Sequence, residues 1–82
     1  MSLRSEIYNV ITEQIISQLG TTAAELTENT KFEEDLGFKS VNYVLLSSAM
    51  EDEFEVEVPY IDLKRSGTIG KAVDFMVKRL SE

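Results

Sequence analysis

Ser40 follows the acidic run EEDLGFK at residues 33 to 39 and opens the most apolar stretch of the chain, VNYVLLSSAM. A hydroxyl at a helix start lies where backbone N–H groups lack intrahelical partners and the aligned peptide dipoles favour negative charge. A phosphodiester on that hydroxyl is therefore stabilised. The plainer role for the same residue is a helix cap, for which serine is a preferred choice. Other reactive groups are scarce. The 82 residues include no cysteine and no histidine, which removes thiol nucleophiles, disulfides, the usual zinc ligands and the side chain that best exchanges protons near neutral pH. Fifteen Asp and Glu remain, but clustered surface carboxylates are more often a solvated face than an acid/base pair. EEDLGFK also lacks the alternating oxygen ligands and closing glutamate of a calcium loop, so no metal site and no enzyme activity are expected.

The elements that position Ser40 follow from periodicity. Leu3, Ile7, Val10, Ile11, Ile15 and Leu19 recur at steps of three and four, which predicts an amphipathic helix stopped by Gly20. Residues 21 to 39 lose that period and read as a long loop, with a helical turn at Ala23 to Leu26 and with Phe32 and Leu36 pinning it to the core. A connection this long without structure is uncommon in a compact domain unless it has a function. A second helix is predicted from Ser40 to Phe54, with Val41, Val44, Leu45, Ala49 and Phe54 among its apolar members. Glu51, Asp52 and Glu53 crowd its end, where acidic side chains oppose the helix dipole, and Glu55 and Glu57 extend the cluster. Pro59 bars continuation, Tyr60 to Arg65 forms a short helical turn, and Thr68 caps a last helix striped by Ile69, Val73, Met76, Val77 and Leu80. EVEV at 55 to 58 alternates like a strand but has no partner, so it reads as extended loop. The fold class is all-α, three main helices plus one short helix, in a single domain over residues 1–82 with a small core.

A formal charge of −7 opposes binding to nucleic acid and to anionic membrane surfaces and favours basic protein partners. No apolar run reaches the length of a membrane span and the start lacks a signal-peptide pattern, so a cytoplasmic chain without membrane insertion is expected, as a monomer.

Several blocks in register carry a resemblance. Asp35, Leu36, Gly37, Phe38, Lys39, Ser40 and Val41 follow the pattern D-L-G-x-D-S-L. Val44, Glu51, Asp52, Glu53, Phe54, Val58 and Pro59 follow the next block, and Thr68 to Phe75 follow T-V-G-x-A-I-x-Y/F, with no insertion or deletion between them. The chain resembles the acyl carrier protein family over nearly its whole length. The resemblance implies a small carrier-type helical bundle in which Ser40 bears 4′-phosphopantetheine, transferred from coenzyme A by a phosphopantetheinyl transferase. Acyl groups then ride as thioesters on the arm's terminal thiol, for fatty-acid, polyketide or related lipid biosynthesis. It further implies acyl-processing partner enzymes with basic docking patches, recognition through Asp35, Lys39, Val41, Glu51, Asp52 and Glu53, and an acyl pocket lined by Val44, Leu45, Ala49, Ile61 and Ile69.

The chain departs from the family pattern near Ser40. Lys39 stands where an aspartate is usual, Asn42 and Leu45 replace commonly acidic positions, and Tyr60, Ile61, Lys64 and Arg65 occupy a short helix that is usually acidic. These departures point to a discrete carrier for a specialised acyl pathway. The alternative is an unmodified interaction module that keeps the carrier fold, with phosphorylation of Ser40 by a kinase as a third reading.

Overall fold

The computed structural model describes residues 2–82 and contains four α-helices: α1 Leu3–Leu19, α2 Ser40–Phe54, α3 Tyr60–Ser66 and α4 Ile69–Ser81, with a 3-10 turn at Ala23–Glu25. The all-α expectation holds, and the EVEV segment forms no strand. α1 packs against α2 and α4, and α3 closes the bundle by packing against both α2 and α4. The bundle measures 31 × 27 × 19 Å.

Each helix starts and buries its face for local reasons. The Ser2 side chain caps α1 by accepting from the Ser5 N–H at 3.1 Å, and Gly20, at φ 74°, ends it in the left-handed conformation glycine adopts without strain. Ile7, Ile11 and Ile15, four apart, lie along one line of α1 and are fully buried, whereas Leu3 and Leu19 at the ends of the predicted stripe are exposed. α4 answers with Ile69, Ala72, Val73 and Met76, and α3 contributes Leu63.

α2 departs from the sequence-based expectation. Its buried face is Tyr43, Leu46, Ser47 and Met50, while Val41, Val44 and Leu45 face solvent. Tyr43, Leu46 and Met50 also recur at three and four, so the helix carries two apolar stripes, and tertiary packing selects the one bearing the larger side chains.

Residues 21 to 39 are not a structureless loop. Ile69 N–H donates to Thr30 O at 3.0 Å, Phe32 N–H to Gly67 O at 3.0 Å and Gly70 N–H to Glu28 O at 2.8 Å, around an isolated antiparallel bridge between Lys31 and Thr68. The segment is thereby stitched to the start of α4, and Phe32, as expected, is fully buried.

That stitching requires Gly70. A Cβ at this position would meet Glu28 O at 2.9 Å and Glu28 Cβ at 3.0 Å, closer than packed atoms approach. Gly70→Ala gains helix propensity of up to about 1 kcal/mol. Overpacking against the backbone costs about 1–3 kcal/mol, so a net loss of about 1–2 kcal/mol is expected. Urea unfolding followed by circular dichroism measures it, and a rise in stability would show that the segment yields freely.

Candidate functional site

Three aromatic rings pack together in the chain on either side of Ser40. Phe32 and Phe38 lie 5.1 Å apart between centroids, and Tyr43 meets them edge-on at 5.7 and 5.1 Å. Phe38 comes two residues before Ser40 and Tyr43 three after it, so this buried cluster fixes the backbone on both sides of the serine. Gly37, at φ 67°, makes the turn that sends Phe38 inward, its N–H donating to Glu33 O at 3.0 Å. Phe38 N–H closes the turn onto Phe32 O at 2.9 Å. The Tyr43 hydroxyl donates to Glu33 Oε2 at 2.9 Å. Burial, reinforced by that bond to the Glu33 carboxylate, holds the phenol well above its ordinary range, so Tyr43 remains a neutral donor and does not act as a base.

Ser40 is exposed and is the first helical residue of α2, not its cap. The cap is Lys39, in extended backbone at φ −118°, ψ 174°. Lysine has no acceptor to offer the first-turn amides, so the sequence solves the helix start from the other side. The Asn42 side chain reaches back, its Oδ1 accepting from Lys39 N–H at 2.8 Å, while its Nδ2 donates to Gln18 Oε1 on α1 at 3.0 Å. Asn42 N–H and Tyr43 N–H turn to Lys39 O. The amides of Ser40 and Val41 are left with no partner among the described residues. The first turn of α2 carries no acidic side chain. An exposed hydroxyl, two free amides, a helix N-terminus and an adjacent ammonium on Lys39 are the donor set a phosphodiester needs, so the residues present fit a phosphate-linked group on Ser40.

The expected recognition residues fall into two sets. Lys39, Val41, Asp52 and Glu53 are exposed, and Lys39 takes part in no ion pair among the described residues. Asp35 and Glu51 have internal duties: Asp35 Oδ2 accepts from Lys31 N–H at 2.8 Å, and Glu51 Oε2 accepts from the N–H of buried Val58 at 2.7 Å. Part of the acidic cluster that opposes the α2 dipole is thus used to satisfy the EVEV segment, which has no strand partner. The five expected pocket residues differ in burial. Ile69 is fully buried, Ala49 half-buried, and Val44, Leu45 and Ile61 exposed; Ala49 borders a surface depression, beside Asp52 and Glu53. Sequence reasoning missed Asn42 as the residue that closes the helix start. Its signal was present in the spacing, an amide side chain three residues after the cap, as in a capping box.

Residues 9–76 match the family described as "Phosphopantetheine attachment site". An acyl carrier protein of Chlorobium luteolum is 32% identical over 77 residues, covering 94% of each chain. One from Chlorobium phaeovibrioides is 33% identical over 75 residues, covering 92% of this chain and 96% of its own. The chain belongs to the acyl carrier protein family. A third relative, an acyl carrier protein of a Sulfurovum species, is 33% identical over 70 residues, 85% of this chain and 93% of its own. Membership implies a covalently attached 4′-phosphopantetheine, a transferase that installs it and enzymes that process the cargo; such proteins are carriers and not catalysts. Among the described residues no helix is long and apolar enough to cross a membrane, and no group of acidic residues is arranged to hold a metal ion.

Proposed function

We propose that Ser40 is the attachment residue, and that this chain holds acyl groups as thioesters for a fatty-acid, polyketide or related lipid pathway. The observation that carries the reading is the start of α2. Ser40 is exposed there, its own amide and that of Val41 are unpaired, and the first turn carries no acid that would repel a phosphate. The Ser40 hydroxyl becomes the ester oxygen of the phosphodiester, and the free amides and the positive charge of neighbouring Lys39 favour the charge it acquires. When attached, the arm supplies the thiol that a chain without cysteine lacks.

Asp52 and Glu53 lie about 18 Å along α2 from Ser40, at 1.5 Å per residue. There they meet basic patches on acyl-processing enzymes and leave the hydroxyl unobstructed. An acyl chain laid along α2 and α3 meets Val44, Leu45 and Ile61 at the surface, and reaches Ala49 and Ile69 only when the helices part. The lysine directly before Ser40 and the absence of acidic side chains from the first turn of α2 support a specialised carrier, acting as a monomeric single domain in the cytoplasm.

Incubation of the apo protein with coenzyme A and a phosphopantetheinyl transferase is expected to add the mass of one phosphopantetheine. Subsequent acyl loading is expected to be reversed by hydroxylamine, as a thioester is. An unchanged mass would leave an unmodified interaction module.

A further inference from the structure

The face that α2 and α3 present beyond Ser40 has the opposite character from the rest of the molecule. The chain carries a net charge of −7, yet from Lys39 to Met50 there is no acidic residue, and α3 holds one, half-buried Asp62. Of seven exposed large apolar side chains, five lie on α2 and α3: Val41, Val44, Leu45, Tyr60 and Ile61, at 60, 43, 49, 38 and 39% exposure. Val41, Val44 and Leu45 share one face of α2 by their spacing of three and four, and α3 packs beside that helix. Isolated exposed apolar groups need no explanation, but five on two adjoining helices, in a small charged domain, mark a surface that is covered in use. Lys39, Lys64 and Arg65 accompany them; all three are exposed and none is in an ion pair among the described residues.

We propose that the occupant of this face is the phosphopantetheinyl transferase of the same cell, and that its docking surface is an apolar patch rimmed by acidic side chains. The inference rests on Ser40 being the attachment residue. An enzyme that reaches the Ser40 hydroxyl must approach Lys39 and Val41 on either side of it. A basic docking surface would there bring like charges together and bury apolar groups against ammonium ions, whereas an acidic rim around an apolar centre is complementary on both counts. The carboxylates of Asp52 and Glu53 sit at the far end of α2, about 18 Å away against a Debye length of about 8 Å at physiological salt, and those of the run before Ser40 are engaged: Glu33 accepts from the Tyr43 hydroxyl, Glu34 pairs with Lys31 and Asp35 accepts from the Lys31 N–H.

The test compares kcat/KM for modification by two enzymes: the transferase from the same cell, and a broad-range transferase chosen for a basic docking surface. The triple variant Lys39→Asp, Lys64→Glu, Arg65→Glu is expected to lose roughly tenfold with the cell's own enzyme and to gain with the basic one, as charge steering predicts. Lys78→Glu, an exposed charge reversal on α4, controls for a charge reversal away from this face and leaves both rates unchanged. Leu45→Glu lowers the rate with the cell's own enzyme. An undiminished rate for the triple variant with that enzyme overturns the proposal even when Ser40 is modified. Modification by neither enzyme removes the reading of Ser40 and this inference together. Sedimentation of the unmodified protein supplies a further check: a concentration-dependent dimer dissociated by Leu45→Glu would assign the face to a second copy of the chain and overturn the proposal.

Discussion

Ser40→Ala is expected to abolish addition of the arm and to leave the bundle folded. The substitution separates chemistry from structure because of where Ser40 lies. As first helical residue it is not the cap, and its hydroxyl makes no hydrogen bond with the described residues. Alanine is the best helix former, and no buried group loses a partner, so the change in stability is expected within about 0.5 kcal/mol. The loss of modification, by contrast, is expected to be complete. No cysteine is available as a substitute nucleophile, Ser47 is buried beneath α2, and Ser48 stands two turns further along, away from the free amides. Intact mass after incubation with transferase and coenzyme A reads the chemistry, and thermal unfolding reads the fold. A variant that still gains the arm would move the attachment elsewhere, and one that unfolds would return Ser40 to a structural role.

The helices were legible because their ends are written locally. Gly20, Pro59 and Thr68 punctuate the chain, and α1 and α2 span the residues their periodicity predicts. The direction in which α2 faces was not legible. A helix with Val41, Val44, Leu45 and Ala49 on one side and Tyr43, Leu46 and Met50 on the other offers two apolar stripes, and only contact with α1 and α3 decides between them. Residues 21 to 39 hid their order for a related reason. Their backbone partners are at 67 to 70, some forty residues away, and non-local pairing leaves no periodic trace. At the site, the blocks around Ser40 single it out as the candidate attachment residue. The duties of Asn42, Asp35 and Glu51 could not, because the same side chain serves a partner or the backbone depending on what folds beside it.

Phe32→Ala is expected to have the largest effect on stability of any single truncation near the site. Phe32 is fully buried and touches both other rings of the cluster, and its backbone holds two of the bonds that order the segment, to Gly67 and from Phe38. Truncating a buried phenylalanine costs about 3–5 kcal/mol. A chain of 82 residues has roughly 4–12 kcal/mol in total, so the variant stands near the edge of folding. Tyr43→Phe is the informative contrast. It keeps the ring and loses one hydrogen bond to exposed Glu33, which water can resolvate, so it costs about 1 kcal/mol. The difference isolates packing from polarity. The loss should also be local first: amide exchange of Phe38 and Asn42 is expected to quicken in Phe32→Ala while the Ile7, Ile11 and Ile15 line stays protected, because that line packs through α1, whose main neighbours are α2 and α4 with a smaller contact to the turn at Ala23–Glu25. Equal acceleration across all helices would mean that the cluster holds the whole bundle together, and a cost below about 1 kcal/mol would mean that the rings merely fill space under a start of α2 already fixed by Asn42.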